Sequence, residues 1–306
     1  MDARPRYGRT AELSTVLVTG GGGFAGSHLV AHLRSEDHEV TAPPREVLEL
    51  TDPHAVRGAV AALQPDCVFH LAAQASVPAA WEDPGATLSA NVATTLNVLE
   101  AVRHETPGAA VLLAGSGEVY GAPERLPVDE SAPLQPQNPY AVSKAACDLL
   151  GGQYADAFGL RVVRARAFNH AGPGQSDLYV VGALSRQVAE AEAAGLDEVV
   201  IRTGNPDSLR DFTDVRDVAR AYRRATDLPA GVYNVCSGRT ASVRDLLRML
   251  DAATPLRLEH EIDPGRLRAH DVPEIRGSAS RLEGWEPEIP LEQTVADALE
   301  WWRTAL

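Results

Sequence analysis

The stretch STVLVTGGGGFAGSHL, residues 14–29, decides the fold of this chain. Its first six residues form a β-branched and apolar run that predicts a strand, and SHL opens an amphipathic helical pattern. The glycines between them permit a tight strand-to-helix turn and a close backbone approach to a pyrophosphate, which would sit on the helix N-terminus. The stretch therefore predicts a dinucleotide-binding loop, and a glycine-rich turn without a ligand is the alternative.

Short β-branched runs and helix-length amphipathic stretches alternate through the first half of the chain. The runs that predict strands are STVLVT (14–19), HEVTA (38–42), DCVFHLA (66–72), AAVLLAG (109–115) and LRVVRARAF (160–168). The stretches that predict helices lie at about 24–35, 53–63, 86–104 and 139–158. Such alternation is typical of βαβ units, so we expect an α/β fold with a Rossmann-type, doubly wound parallel sheet.

The second half of the chain has a less regular pattern and more loops. The pattern there predicts helices near 179–194, 214–226 and 291–303 and a strand at GVYNVCSG (231–238). We expect a dinucleotide-binding domain over 14–168, rejoined by about 205–237, and a smaller C-terminal substrate-binding lobe. That lobe would comprise residues 169–204 and 238–306, and residues 1–13 are expected to be disordered.

Composition and charge exclude several kinds of partner. The 306 residues are 44% hydrophobic and 23% charged, as in a globular chain, and 28 basic against 42 acidic side chains give a net charge of −14. Such a charge repels nucleic acid and anionic lipid, so we expect neither nucleic acid nor membrane as a partner. No apolar run reaches the roughly 18–20 residues of a membrane span, and residues 1–13 lack the apolar core of a signal peptide, which predicts a cytoplasmic protein.

The cysteines and histidines give no sign of a metal site. Cys67, Cys147 and Cys236 lie far apart without a CxxC spacing, which predicts neither a disulfide framework nor a zinc site. His28 and His32 share a predicted helix face, but no third ligand accompanies them in the sequence. We therefore expect no metal.

The segment after the second predicted strand bears on the choice of cofactor. NAD-selective sites usually place an acidic residue there to hold the ribose 2′-hydroxyl, but this segment reads TAPPR (41–45), with no carboxylate before Glu46. Arg45 suits a 2′-phosphate. The sequence therefore predicts NADP(H) as the preferred cofactor and leaves NAD(H) open; the alternative is that Arg45 is a solvated surface residue.

Residues 138–144, NPYAVSK, form the most specific passage. Asn138 and Pro139 are typical of a helix start, so Tyr140 falls in the first turn and Lys144 lies one turn later on the same face. A nearby ammonium and the helix N-terminus favour phenolate, so we expect them to lower the pKa of Tyr140 and make it a general acid/base. Lys144 is the only lysine among 28 basic residues, which favours this role over the alternative of a helix-surface pair.

Ser116 and Glu118 follow the strand AAVLLAG. A hydroxyl at the carboxyl end of a parallel strand faces the ligand crevice, so Ser116 is predicted to bind a substrate carbonyl or hydroxyl beside Tyr140. A hydrolase would need G-x-S-x-G, but residue 114 is Ala. Glu118 is either a second acid/base or a carboxylate that the backbone of its own loop satisfies.

These passages together carry a family resemblance. TGGGGFAGSHL, HLAAQASV, NVATTLNVLEA, SGEVYG and NPYAVSK resemble the extended short-chain dehydrogenases/reductases that modify nucleotide sugars, the NDP-sugar epimerase/dehydratase family, over about residues 14–303. Within that family, FNHAGPGQ (168–175), SLRDFTDVRDVARAY (208–222), GVYNVCSG and DPGRLRAHDVPEIRGS (263–278) resemble GDP-4-keto-6-deoxy-D-mannose reductases and the related GDP-mannose 4,6-dehydratases.

The resemblance implies roles for individual residues. It implies a catalytic group of Ser116, Tyr140 and Lys144, with Glu118 beside it. It implies a cofactor site of Gly20, Gly23, Phe24, Ala25, Gly26, Arg45, Glu49, Leu50, Leu71, Ala72, Ala73, Asn91, Tyr140 and Lys144. It implies a substrate site of Ser116, Asn169, Arg210, Arg268 and Asp271. Glu49 stands where the family usually has Asp, and Asn91, which would help to organise Tyr140 and Lys144, has a helix N-cap as its alternative role.

The resemblance also implies a reaction and an assembly. The reaction is the NADPH-dependent reduction of the C4 ketone of a GDP-4-keto-6-deoxyhexose, from GDP-4-keto-6-deoxy-D-mannose to GDP-D-rhamnose. The alternatives are an NDP-sugar 4,6-dehydratase or C4-epimerase with a transiently reduced nicotinamide, and a non-catalytic dinucleotide sensor. We expect a homodimer through the helices at 86–104 and 139–158, with an interface formed by Leu96, Leu99, Leu149 and Leu150.

Overall fold

The computed structural model describes residues 14–266 and 272–306. The expected disorder of 1–13 therefore lies outside the described residues. The strands are β1 Thr15–Thr19, β2 Glu39–Thr41, β3 Cys67–His70, β4 Ala110–Ser116, β5 Arg161–Ala167, β6 Asn169–Ala171, β7 Glu198–Thr203, β8 Leu209–Asp214, β9 Gly231–Val235, β10 Thr240–Ala241, β11 Arg257–Ile262 and β12 Glu274–Ile275. The helices are α1 Phe24–Ser35, α2 Pro53–Leu63, α3 Val77–Glu82, α4 Pro84–Glu105, α5 Pro139–Phe158, α6 Val180–Ala193, α7 Val215–Ala225, α8 Val243–Ala253 and α9 Leu291–Ala305.

A six-stranded sheet in the order β2-β1-β3-β4-β5-β9 forms the centre of the molecule. All of its neighbouring strands run parallel. The direction of winding reverses at β1, because β2 lies on one side of it and β3 on the other. The predicted Rossmann-type, doubly wound sheet is confirmed, and its ligand crevice is expected beyond the carboxyl ends of β1 and β3.

Helices cover both faces of this sheet. On one face α1 packs against α7, and Leu29, Leu33 and Tyr222 are buried there. On the other face α2, α4 and α5 pack side by side, with Leu99 and Tyr154 in their core. Because both faces are covered, the strands read as nearly continuous apolar runs. No helix in the described part of the chain has the length and apolar character needed to cross a membrane.

A second core lies in the C-terminal lobe. The helices α6, α8 and α9 pack around Leu184, Ile201, Leu246 and Val295. The central strand of the lobe is β8, which pairs with β6 and β12 in parallel and with β10 in antiparallel fashion, while β7 pairs with β11. Between β8 and β10 the chain returns to the large sheet, where β9 pairs with β5. The sequence pattern predicts neither α8 nor the short strands of this lobe, and the domain boundaries stay predictions.

Candidate active site

Two positions in the loop after β1 have to be glycine, because neighbouring backbone atoms leave no room for a side chain. Gly20 has a φ of +73°, and a Cβ built on it would lie 2.6 Å from the backbone nitrogen of Ala72. A Cβ on Gly26 would lie 2.0 Å from the carbonyl oxygen of Gly20. Real Cβ atoms do not approach backbone atoms so closely, so only glycine allows β1, α1 and the chain after β3 to meet here.

The N-terminus of α1 is shaped to receive an anion. Its N-cap residue is Gly23, and no side-chain cap forms there within the described chain. A Cβ built on Gly22 would have no described atom within 4 Å. At α2, by contrast, the Asp52 carboxylate accepts hydrogen bonds from first-turn N–H groups. The donors of α1 and the space before them fit the pyrophosphate of a dinucleotide.

The structure brings most of the other predicted cofactor residues to the same edge of the sheet. Phe24 and Ala25 begin α1, and the segment Leu71, Ala72 and Ala73 follows β3 beside the glycine loop. Leu50 lies between β2 and α2, where its carbonyl oxygen accepts a hydrogen bond from Asn97 Nδ2 at 2.8 Å. Their contacts with a dinucleotide stay predictions.

Arg45 lies beyond β2 and is paired with Glu49. Its side chain is 81% exposed, and its Nε lies 3.1 Å from Glu49 Oε2. Glu49 also accepts hydrogen bonds from the backbone N–H and the hydroxyl of Thr51, and these two bonds, with that of Arg45, lower its pKa to about 2. Arg45 is therefore accessible to a 2′-phosphate, but the phosphate has to compete with Glu49. The roles of both residues stay predictions.

Helix α5, the predicted catalytic helix, begins as the sequence predicts. The side chain of Asn138 caps it by accepting a hydrogen bond from the backbone N–H of Ala141 at 2.8 Å, and Pro139 is its first residue. Tyr140 is half-buried, whereas Lys144 is buried. The Lys144 Nζ lies 6.0 Å from the Tyr140 ring centroid and donates to the carbonyl oxygen of Ala114 at 2.8 Å. The ammonium is thus held against β4, on the sheet side of the phenol.

Ser116, the last residue of β4, meets the start of α5. Its hydroxyl lies close enough to Tyr140 to act on the pKa of the phenol, and its Oγ accepts a hydrogen bond from the backbone N–H of Glu118 at 3.2 Å. The Glu118 carboxylate in turn accepts a hydrogen bond from Asn138 Nδ2 at 3.0 Å. Glu118 is therefore satisfied by the amide that caps the catalytic helix, and not by the backbone of its own loop. Its role as an acid or base stays a prediction.

The sequence-based expectation that the pKa of Tyr140 is lowered is wrong. Burial raises the pKa of Tyr140, and the hydrogen bond from Ser116 offsets only part of this increase. Burial also lowers the pKa of Lys144. At 6.0 Å the ammonium does not compensate for the loss of water around the phenol. The Tyr140 hydroxyl is consequently protonated at neutral pH, which is the state of a proton donor.

Asn91 connects the two long helices behind the site. It is buried in the middle of α4, so its alternative role as a helix N-cap is wrong. Its Oδ1 accepts a hydrogen bond from the backbone N–H of Gln74 at 2.8 Å, and its Nδ2 donates to Ser143 Oγ at 2.9 Å. Ser143 directly precedes Lys144, so Asn91 acts on the position of the catalytic helix.

Two of the predicted substrate residues are described, and both lie on strands of the C-terminal lobe. Asn169 is exposed on β6, directly after the carboxyl end of β5. Arg210 lies on β8, and its Nη1 donates to the carbonyl oxygens of Leu209 and Val272 at 3.0 and 2.8 Å. The other two predicted substrate residues, Arg268 and Asp271, lie outside the described residues. The sugar-nucleotide contacts of all four stay predictions.

Comparison with known proteins now places the chain in a family. Residues 16–236 match the NAD dependent epimerase/dehydratase family. This chain belongs to that family. It is 39% identical to the GDP-6-deoxy-D-mannose reductase of Pseudomonas aeruginosa over 298 residues, which cover 94% of this chain and 97% of the relative. The resemblance noted in the sequence is confirmed.

Solved structures of epimerase/dehydratase family members share the whole fold. The structure of RMD from Pseudomonas aeruginosa complexed with NADPH superposes with a TM-score of 0.86 at 37% identity, covering 95% of this chain and 100% of that chain. The UDP-glucose 4-epimerase of Thermus thermophilus in complex with NAD has a TM-score of 0.84 at 31% identity, covering 95% and 99%. The chain is thus an enzyme of a family in which one solved structure contains NADPH and another contains NAD.

Two aromatic contacts that sequence reasoning missed join the lobes of this family member. The ring of His170 stacks on Phe24 with centroids 5.8 Å apart and planes 13° apart. Tyr179, at the start of α6, donates from its hydroxyl to the carbonyl oxygen of Ala75 at 3.5 Å. The position of Tyr179, after the GPGQ loop and at the start of the helix predicted near 179–194, was the available signal.

The histidines of α1 have protein partners. His28 Nε2 lies 2.9 Å from the carbonyl oxygen of Pro173, and His32 Nε2 lies 3.4 Å from Glu36 Oε1. In residues 14–266 and 272–306, no group of three or more His, Cys, Asp or Glu side chains is arranged to hold a metal ion.

Proposed function

We propose that this epimerase/dehydratase family member reduces the C4 ketone of a GDP-4-keto-6-deoxyhexose, converting GDP-4-keto-6-deoxy-D-mannose into GDP-D-rhamnose with NADPH. The observation that carries the proposal is the Tyr140 hydroxyl. It lies beside Ser116 and the ammonium of Lys144, at the sheet edge where the glycine loop lies, and burial keeps it protonated. The 39% identity to a GDP-6-deoxy-D-mannose reductase over nearly the whole chain supports the substrate.

NADP(H) is the preferred cofactor, and NAD(H) is the alternative. The glycine loop and the N-terminus of α1 hold the pyrophosphate, and the exposed guanidinium of Arg45 binds the 2′-phosphate. The similarity to a structure with NADPH supports this preference, and the similarity to an epimerase with NAD supports the alternative. When bound, NADPH supplies the hydride that reaches C4 of the sugar.

Tyr140 supplies the proton of the reduction. Its hydroxyl donates to the C4 oxygen as negative charge develops there. The ammonium of Lys144 stabilises the phenolate that remains. Lys144 keeps its place because its Nζ donates to the carbonyl oxygen of Ala114 at 2.8 Å.

Ser116 and the arginines of the C-terminal lobe orient the substrate. The Ser116 hydroxyl binds the C4 carbonyl beside Tyr140, and Asn169 contacts the sugar from the opposite lobe. Arg210, together with Arg268 and Asp271, binds the sugar nucleotide. A local cation is required for an anionic diphosphate because the chain as a whole carries −14.

One assay separates this function from its alternatives. The protein is mixed with NADPH and with GDP-4-keto-6-deoxy-D-mannose made in situ, and nicotinamide absorbance is followed together with the sugar products. We expect stoichiometric loss of NADPH and formation of GDP-D-rhamnose. A 4-keto product from GDP-mannose alone would identify a dehydratase, in which Glu118 removes the C5 proton. Interconversion of C4 epimers without net NADPH loss would identify an epimerase, and binding without turnover a sensor.

We also propose a homodimer through α4 and α5. These neighbouring helices expose Leu88, Leu96, Val142, Leu149 and Phe158, and Leu149 is 62% exposed. Leu99 does not belong to this surface, because it is buried in the core of its own chain, and Leu150 is partly buried against the same core. Apolar side chains exposed in such a row are typical of an interface.

Solution mass tests the dimer. Light scattering of the wild-type protein should give twice the chain mass, and Leu149→Glu should halve it. The control Ile262→Glu changes an apolar side chain of similar exposure, 49%, on β11 and should leave the mass unchanged. A wild-type mass of one chain would contradict the proposal.

We further propose a cytoplasmic location. Cys67, Cys147 and Cys236 are buried and free, as thiols are in a reducing compartment. Fractionation of the source cells would test this, and recovery of the protein from an oxidising compartment would contradict it.

A further inference from the structure

A buried polar network lies beneath the catalytic group and takes part in none of the steps above. At its centre is Arg166 on β5, whose side chain is 6% exposed. The Nε and Nη2 atoms of Arg166 donate to the two carboxylate oxygens of Asp148, both at 2.9 Å. Its Nη1 donates to the hydroxyl oxygen of Tyr120, also at 2.9 Å. Both sides of the guanidinium are therefore occupied.

Each partner of Arg166 belongs to an element that carries a catalytic residue. Asp148 lies on α5, one helical turn after Lys144. Tyr120 ends the short 3₁₀ turn that follows Ser116. The guanidinium thus joins the helix of the proton donor to the turn that follows the substrate-orienting serine.

The network continues toward the substrate lobe. The Tyr120 hydroxyl donates to Asn234 Oδ1 at 2.7 Å. Asn234 Nδ2 donates to the carbonyl oxygens of Val128 and Ser278 at 3.0 and 3.2 Å. Ser278 follows β12 closely, and β12 pairs with β8 so that Ile275 lies opposite Arg210. One series of hydrogen bonds therefore leads from the catalytic helix to Ser278, three residues after the strand that pairs with that of Arg210.

Stability alone does not account for a network of this kind. Taking an arginine and a carboxylate out of water costs about as much as their attraction returns, and apolar residues of similar volume often leave stability unchanged or raise it. The pair does fix the relative orientation of the segments it joins, because the planar guanidinium fits Asp148 and Tyr120 in one geometry only.

We propose that Asp148, Arg166 and Tyr120 are positioning residues, which hold Tyr140 and Lys144 in register with Ser116 and Glu118 for proton transfer. None of the three contacts the substrate or the cofactor in this role. The inference rests on the proposed function for its substrate. Loosening the network moves the proton donor relative to the serine, so it lowers kcat and leaves the affinity of the glycine loop for NADPH unchanged.

The test replaces the charges of Asp148 and Arg166 by apolar side chains. Arg164, whose Nη1 also donates to Asp148 at 3.2 Å, keeps its charge and is 22% exposed, so its guanidinium can turn to solvent. The double variant Asp148→Leu/Arg166→Met leaves Tyr120 its hydrogen bond to Asn234. We expect a melting temperature equal to that of the wild type or higher and an unchanged Kd for NADPH. We expect kcat to fall by about 10- to 100-fold, since a displacement of about 1 Å has effects of this size.

A matched control replaces a similar pair far from the catalytic helix. Arg303 on α9 donates through Nε and Nη2 to the two carboxylate oxygens of Glu192 on α6, both at 2.7 Å. The variant Glu192→Leu/Arg303→Met should keep the wild-type kcat. A wild-type kcat in Asp148→Leu/Arg166→Met would overturn the proposal, as would a parallel loss of melting temperature, NADPH affinity and kcat, which indicates a structural role.

Two further measurements decide the remaining outcomes. If the double variant does not fold, Tyr120→Phe, which removes one hydroxyl, must lower kcat at unchanged NADPH affinity. If the wild-type protein reduces no GDP-4-keto sugar, the proposed function fails, but the network is still tested by crystal structures of the apolar double variant and of the control. A displacement of Tyr140 relative to Ser116 in the apolar double variant, and not in the control, supports the proposal; an unchanged position contradicts it.

Discussion

The glycine loop and strand β8 are positioned by opposite means. The loop depends on missing side chains, since a Cβ on Gly26 would lie 2.0 Å from the backbone oxygen of Gly20 in the same loop. Strand β8 depends on one buried side chain, Asp211, whose carboxylate accepts hydrogen bonds from the backbone N–H groups of Ser237, Gly238 and Gly277 at 2.8, 3.0 and 3.1 Å. The cofactor site is therefore encoded locally, whereas the substrate lobe is held by contacts between distant segments.

The largest effect should come from the residue between these two regions. Tyr140→Phe removes the proton donor and leaves both the glycine loop and β8 intact. We expect kcat to fall by about 10²- to 10⁴-fold, the usual contribution of a general acid, with unchanged Kd values for NADPH and for GDP. Stopped-flow reduction and fluorescence titration measure the two quantities. A kcat near that of the wild type would remove Tyr140 from the mechanism.

The next largest effect should come from filling the glycine loop. Gly26→Ala places a Cβ where no atom fits, so it should destabilise the fold by about 1–3 kcal/mol and weaken NADPH binding more than 10-fold. The control is Gly58→Ala in α2, whose Cβ would have no described atom within 4 Å. Alanine there should keep or raise the melting temperature. Equal NADPH affinities in the two variants would show that the loop tolerates a side chain.

A smaller effect is expected when Asp211 is changed. In Asp211→Asn one oxygen becomes an amide that cannot accept a hydrogen bond from a backbone N–H, at a cost of about 1–3 kcal/mol in the free energy of unfolding. We expect β8 and Arg210 to shift, with KM for the sugar nucleotide rising about tenfold and Kd for NADPH unchanged. The exposed Asp227→Asn is the control. If KM stays constant while stability falls, Asp211 supports the fold without positioning the substrate arginine.

The smallest effect concerns Arg45. Its guanidinium is 81% exposed and already paired with Glu49, so solvent and the carboxylate both weaken its attraction for a 2′-phosphate. We expect Arg45→Ser to reduce the ratio of kcat/KM for NADPH over NADH by about fivefold. Arg57→Ser on α2 is the control. An unchanged ratio would show that another group selects the cofactor.

The first half of the fold was predictable because its signals are local. The bounds expected for α1, α2 and α5 are those observed, since each follows from a short pattern of glycine, proline and capping residues. The helix expected at 86–104 is longer and is preceded by α3, because Asp83 ends one helix and caps the next. The missed α8 also carried a local signal, a capping box of Ser242 and Asp245.

The rest could not be read from the sequence because it depends on distant pairs. The short strands around β8 exist only through pairing with each other, and a two-residue strand such as β12 leaves no pattern. Asp148 and Arg166 are 18 residues apart and meet only after α5 packs on β5. The motifs located Tyr140 and Lys144, but the burial that raises the pKa of the phenol comes from the packed structure.

The position of β9 constrains how the protein can be synthesised and divided. This strand, Gly231–Val235, completes the large sheet by pairing with β5, yet it is translated only after α6, β8 and α7. Until β9 is translated, the large sheet of the nascent chain ends at β5. The free edge of β5 is the kind of surface that pairs with other chains. A fragment cut after β5 keeps that edge exposed, so we expect it to aggregate when it is produced alone.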